Sequence, residues 1–127
     1  MAIEYHAVEK KVIGGPDKGQ KKFYAVAKNT GTTTLEMLQE EIESSSTVNG
    51  ADIAAVLYAL KESIPRHLEA GNTVDLGGLG SFHISLSSRG EDTAAKVSSK
   101  SIKSAKIIFA PGKKLKPDVK HLVFKKI

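Results

Sequence analysis

An apolar stripe that ends at a glycine and runs straight into a glycine-rich corner constrains this chain more than any other feature. Ile53, Val56, Leu57, Leu60, Ile64 and Leu68 fall at offsets of 3, 4, 7, 11 and 15 from the first, which is the spacing of one helix face. Asn49 is a good N-cap for that helix, with Asp52 in its first turn. Pro65 removes one i→i−4 bond and is expected to kink the last turns. Gly71 fits the C′ position that stops a helix. The run Gly71-Asn72-Thr73-Val74-Asp75-Leu76-Gly77-Gly78-Leu79-Gly80-Ser81-Phe82 follows. Val74 and Leu76 should begin a strand, Gly77 to Gly80 should turn a corner, and Phe82, Ile84 and Leu86 should continue a sheet with one apolar face.

The flanking segments supply further elements. Residues 3–13 and 22–28 alternate, through Ile3, Tyr5 and Ala7 in one and Phe23, Ala25 and Ala27 in the other. Gly14-Gly15-Pro16-Asp17-Lys18-Gly19 between them is dense in turn formers, so the pair predicts a β-hairpin. Thr33 with Glu36 has capping-box spacing and predicts a helix start, with Leu35, Leu38 and Ile42 on its apolar side and Ser44-Ser45-Ser46 at its end. Residues 87–106 are polar and basic, and Val97 and Ile102 are their large apolar side chains. They fit an extended arm or a loop with one short helix. Ile107 to Phe109 return as a strand, Pro111-Gly112 turns, and Lys113 to Lys116 start a short helix that Pro117 limits. Leu122 to Ile127 form a last strand, for which the N-terminal hairpin is a candidate partner.

Composition narrows the class. With 127 residues the chain fits one domain, or a small domain with an appendage. Four Phe, three Tyr and no Trp make a thin core for a monomer, and burial against a second subunit is one remedy. No cysteine is present, which excludes disulfides, thiolate metal sites and cysteine nucleophiles. The start, Met1-Ala2-Ile3-Glu4-Tyr5, lacks the basic and apolar regions of a secretory signal, and no apolar run approaches a membrane span. The net charge of +5 is unevenly spread. Residues 33–76, which hold the predicted helices, sum to −6, and the rest sums to +11. Such polarisation creates a positive face able to attract a polyanion.

Motifs that would signal catalysis do not assemble. Gly77-Gly78-Leu79-Gly80 superficially resembles a phosphate loop, but it leads into a strand rather than a helix and no GK[ST] follows. A tight corner needing positive φ and close packing explains these glycines better. His6, His67, His83 and His121 have no ligand spacing, so no metal and no cofactor is expected. No serine lies in a GxSxG elbow, and Glu36, Glu40, Glu41 and Glu43 suit a solvated helix face. No enzyme is expected. The basic residues are more informative. Lys113, Lys114 and Lys116 follow a strand beside Gly112, where lysines and backbone amides can jointly hold phosphate. Arg89, Lys96, Lys100, Lys103 and Lys106 stud the segment between two strands and can track a groove and its phosphates. Without aromatic residues that segment is unsuited to stacking on single strands.

Residues 33–116, taken in this order, resemble the HU/IHF family of bacterial histone-like DNA-binding proteins. The match rests on the helix pair, on Gly78-Leu79-Gly80-Ser81-Phe82, and on Gly112-Lys113-Lys114-Leu115-Lys116. Phe23-Tyr24-Ala25-Val26-Ala27-Lys28 before the first helix is similar to a subgroup of longer HU-related proteins with an N-terminal β extension. The resemblance implies an α+β fold: a helix hairpin and a three-stranded antiparallel sheet with an arm, intertwined as a homodimer, here with an extra N-terminal β-hairpin. It divides the chain into an extension, 1–32, and an HU/IHF-like domain with a basic tail, 33–127. Val56, Leu57, Leu60, Ile64, Leu79, Phe82 and Phe109 would form the dimer core. Arg89, Lys96, Lys100, Lys103, Lys106, Lys113, Lys114 and Lys116 would contact double-stranded DNA. The implied function is architectural, largely sequence-nonspecific binding through phosphates and the minor groove, in the nucleoid of a bacterial cytoplasm. The alternative is a dimeric scaffold of the same fold that no longer binds DNA, with a protein partner on the hairpin. The chain departs from the family in one respect. It has no proline between Pro65 and Pro111, so the Arg-Asn-Pro wedge at the arm tip is missing, and proline-driven bending is not carried over.

Overall fold

The computed structural model describes residues 1–116 and 120–127. The chain divides into two compact units, residues 1–38 with 120–127, and residues 39–119. The limit that Pro117 was expected to set lies outside the described residues.

The first unit is a three-stranded sheet with residues 3–11 at its centre, flanked by residues 21–27 and 124–126. β1 (Ile3–Lys11) and β2 (Lys21–Ala27) form the predicted antiparallel hairpin, from Tyr5 opposite Ala27 to Lys11 opposite Lys21. Gly15 and Gly19, both at positive φ, shape its turn. β6 (Phe124–Lys126) joins the other edge of β1 in parallel, with Ile3 opposite Phe124. The C-terminal strand therefore belongs with the hairpin.

Helix α1 (Leu35–Ser45) begins one residue later than the Thr33–Glu36 spacing suggests. Thr34 is the cap, and its hydroxyl accepts from the Met37 amide at 3.2 Å. The N3 position then falls on Met37 rather than a glutamate, so the reciprocal half of a capping box is absent. The serines that end the helix do so by bonding its carbonyls. Ser45 Oγ donates to Glu41 O at 2.9 Å, and Ser46 Oγ donates to Ile42 O at 2.8 Å. Ile42 is one of the last four residues, whose carbonyls lack an intrahelical amide, and the Ser46 hydroxyl supplies a donor there.

Helix α2 (Gly50–Glu69) starts at Asn49, whose side chain accepts from the Asp52 amide at 2.9 Å. It runs on through Pro65 for another turn. At its end the Asn72 amide reaches His67 O and the Gly71 amide reaches Leu68 O, both at 3.0 Å. This Schellman arrangement needs Gly71 at φ +88°. Ile53 and Leu68, near the two ends of the apolar stripe, are buried. Val56 and Leu60 between them are exposed, at 62% and 39%.

The second sheet has the order β3-β4-β5 and is antiparallel throughout. β3 is short (Val74–Asp75), because Leu76 already leaves the strand for a 3₁₀ turn at Gly77–Leu79. β4 (Gly80–Ser88) pairs with β5 (Ile102–Pro111) from Gly80 opposite Pro111 to Ser88 opposite Ile102. β5 thus begins five residues before the Ile107 that periodicity indicates, because Ser104 and Lys106 carry no apolar alternation although they pair with Ser87 and Ser85 of β4. Replacing Asn49 by Ala should lower stability by about 1 kcal/mol through removal of the cap. Urea unfolding would show this as a lower midpoint, and an unmoved midpoint would mean that the cap is dispensable.

Candidate nucleic-acid interface

The β4–β5 ladder sorts side chains onto two faces. Phe82, Ile84 and Leu86 lie opposite Phe109, Ile107 and Ala105, which makes one face apolar. The Phe82 and Phe109 rings meet with centroids 5.0 Å apart. Ser81, His83, Ser85 and Ser87 lie opposite Ala110, Ile108, Lys106 and Ser104, so the other face carries hydroxyls, an imidazole and one lysine. Sequence reasoning singled out Lys106 but not its hydroxyl-bearing neighbours. The period-2 pattern that marked Phe82, Ile84 and Leu86 already placed these serines on the opposite side.

All eight expected contact residues lie in the second unit, strung along this hairpin from base to tip. Lys113, Lys114 and Lys116 sit at its base, just past Pro111. Lys106 stands midway, opposite Ser85. Near the far end the register slips by one residue at Ser87/Ser88, which leaves Lys103 without a partner in the ladder. Such a bulge re-aims the side chain it carries. Arg89 follows Ser88, and Lys96 and Lys100 fall in two 3₁₀ turns, Ala94–Lys96 and Ser99–Ser101. The tip is therefore two short turns rather than one short helix. At roughly 3.4 Å per residue the ladder is about 25–30 Å long, enough to meet several phosphates of a duplex. Arg89 is already engaged, its Nε donating to Glu91 Oε1 at 2.6 Å.

At the base, close backbone packing positions the lysines. The Gly112 amide donates to Leu79 O at 3.0 Å, and the Lys114 amide donates to Gly78 O at 2.9 Å. The Leu115 and Lys116 amides both donate to Gly112 O, at 3.2 and 3.1 Å. These amides are thus taken by protein carbonyls. Of the backbone groups expected to join the lysines in holding phosphate, the Lys114, Leu115 and Lys116 amides have partners within the protein. The Gly77–Gly80 corner is the structural turn anticipated for it. Gly77 and Gly80 have φ of +69° and +145°, and the Gly77 amide donates to the Asp75 carboxylate at 2.9 Å.

The residues expected in a dimer core remain open in the single chain. Val56, Leu60, Leu79 and Phe109 are exposed, while Leu57, Ile64 and Phe82 are half-buried. Along the apolar sheet face Leu86 and Ile107 are 58% and 59% exposed. Among the described residues no helix is long and apolar enough to cross a membrane.

A helix pair leading into a three-stranded antiparallel sheet with a long basic hairpin is an HU-like body. The family model HU-HIG, described as an HU domain fused to wHTH, Ig or a glycine-rich motif, matches residues 1–126, and the chain belongs to that family. A crystal structure from Bacteroides vulgatus ATCC 8482, of a protein named as a candidate bacterial DNA-binding protein, shares the fold with a TM-score of 0.65 at 16% identity. The similarity covers 99% of this chain and 48% of that one, so the chain spans about half the length of that structure. No curated protein matches the chain.

Gly112 tests the close packing at the base. A Cβ there would meet Gly78 C at 2.8 Å and Gly80 N at 2.9 Å, both backbone atoms that cannot swing away. Gly112→Ala should cost about 1–3 kcal/mol, the usual range for overpacking. Retention of the wild-type denaturation midpoint would contradict the close approach.

Proposed function

We propose that this chain binds double-stranded DNA as an HU-type architectural protein. It would bind as a homodimer, through backbone phosphates and the minor groove, with little sequence preference. The observation that carries this reading is the basic hairpin, with Lys113, Lys114 and Lys116 just past its base, Lys106 and Lys103 along β5, and Lys100, Lys96 and Arg89 in the connection at its tip. Family membership and the DNA-binding name of the Bacteroides relative support it. Residues 33–127 are proposed as the DNA-binding part, and residues 1–32 as a β extension to which the chain's end lends a strand. The proposed setting is the nucleoid of a bacterial cytoplasm.

Dimerisation is supported by the apolar residues that the second unit leaves open: Val56 is 62% exposed, and Leu86 and Ile107 are 58% and 59% exposed. The mass in solution should be twice that of the chain. Phe109→Glu, which puts a charge on the open apolar face, should return the protein to a monomer or unfold it. A monomeric wild type would remove the dimer.

Binding is tested by fluorescence anisotropy on a random duplex of roughly 30 bp, between about 50 and 200 mM salt. Saturable binding with a steep salt slope, insensitive to sequence, is expected. Exchanging both Lys113 and Lys114 for Glu should weaken it and flatten the log–log slope by about 0.9 for each phosphate no longer neutralised, without altering unfolding. The second reading, a scaffold that no longer binds DNA, draws on a groove of about 530 Å³ on the first unit, lined by Ile3, Tyr5, Ala25, Ala27 and Phe124. Non-saturating curves even at low salt would favour it.

A further inference from the structure

The connection between β4 and β5 is not an open arm. Residues 89–101 fold back on a small polar centre. Ser101 is fully buried, and its Oγ donates to Glu91 Oε1 at 3.0 Å. The same carboxylate oxygen accepts from Arg89 Nε. Ser101 Oγ in turn accepts from the Ser98 amide at 3.2 Å, and Ser98 Oγ accepts from the Lys100 amide at 3.3 Å. The carbonyl of Ser101 receives the Arg89 amide at 2.9 Å and Ser88 Oγ at 3.2 Å. Residues 88–91 are thereby tied to residues 98–101 at both backbone and side-chain level.

Glu91 is the member of this set that needs explaining. Its side chain is 16% exposed, on a hairpin rich in lysine whose other acid is the neighbouring Asp92. A carboxylate stripped of most of its water is tolerated where charged and hydroxyl donors replace that water, as Arg89 and Ser101 do. On a phosphate-binding arm an unpaired carboxylate would also repel the ligand. Pairing with Arg89 offsets its own charge while it still holds Ser101. Lys96 and Lys100 lie on the exposed outside of the two turns that this centre closes.

We propose that the Arg89–Glu91–Ser101 network keeps the β4–β5 connection folded in the free protein, with Glu91 as a positioning residue that presents Lys96 and Lys100 to phosphate. The arm then meets a polyanion ready-shaped, and the entropy of closing the loop is not charged against binding. The positioning role rests on the DNA-binding reading above, while the folded loop does not.

Two variants separate positioning from charge. Glu91→Gln and Glu91→Ala remove the same negative charge, but only Gln keeps an oxygen for the Ser101 hydroxyl. Amide hydrogen exchange on the free wild-type protein should show Arg89, Ser98 and Ser101 protected. Glu91→Ala should speed their exchange by at least about tenfold, the effect expected from removing a charged hydrogen bond, and leave the Ile84 and Phe109 amides of the ladder unchanged. Glu91→Gln should retain the protection. On duplex DNA at fixed salt, Glu91→Ala should bind about threefold to tenfold more weakly than Glu91→Gln, the cost of ordering a few side chains on binding. Equal affinities of the two variants, or wild-type loop amides that exchange like an open chain, overturn the proposal. A wild type that shows the exchange pattern but binds no duplex sinks the DNA reading and Glu91's role in it, and leaves the folded loop standing.

Discussion

The second unit depends on how closely two stretches of backbone can pass at the foot of its hairpin. Gly112 packs against Gly78 and Gly80, and a Cβ on Gly80 would meet the Phe109 ring at 2.6 Å. That approach sets the register at which β5 enters the sheet and docks the Lys113–Lys116 turn on the glycine corner. The register then decides which side chains share a face along the whole ladder. The basic turn, the serine face and the apolar face all follow from a closeness that only hydrogen at Cα allows.

The two faces of that ladder have opposite requirements. On one side Ser81, His83 and Ser85 are half-buried beside Ile108, and Lys106 is exposed. Ile84, Leu86, Ile107 and Phe109 on the other remain open in the single chain, as do Val56 and Leu60 on α2. Ile53 and Leu68 are its buried hydrophobics among the described residues. So small a core stabilises a domain poorly, because conformational entropy opposes folding at every residue. The proposed homodimer answers this by covering the open apolar residues, and the same two-sided ladder would carry both the partner and the duplex.

Legibility differed from element to element for identifiable reasons. The end of α2 was readable because a Schellman stop needs positive φ, and Gly71 is the residue that supplies it. The start of α1 was displaced by one residue because Thr33 and Thr34 are chemically equivalent caps, and the spacing to Glu36 favoured the wrong one. The first five residues of β5 are not legible because strand periodicity reports burial, and Ser104 to Lys106 pair through the backbone while their side chains stay in solvent. Every lysine now on the hairpin was visible as a basic residue. The bulge at Lys103 and the amides already used at Leu115 and Lys116 were not, since both depend on what lies across the strand or around the corner.

By itself the sequence determined what short-range chemistry and periodicity can encode. It specified two helices, the Asn49 cap and Gly71 stop of the second, the first hairpin, the glycine corner, the uneven charge and the apolar side of β4. Only the tertiary structure decided the parallel pairing of the chain's end with β1, the register of β4 against β5, and the closure of residues 89–101 around Glu91 and Ser101. Each of those joins groups through hydrogen bonds between segments that share no local pattern. Backbone donors and acceptors are the same in every residue but proline, so packing chooses the strand partners, while Glu91 and Ser101 meet only because the fold brings two distant polar side chains together.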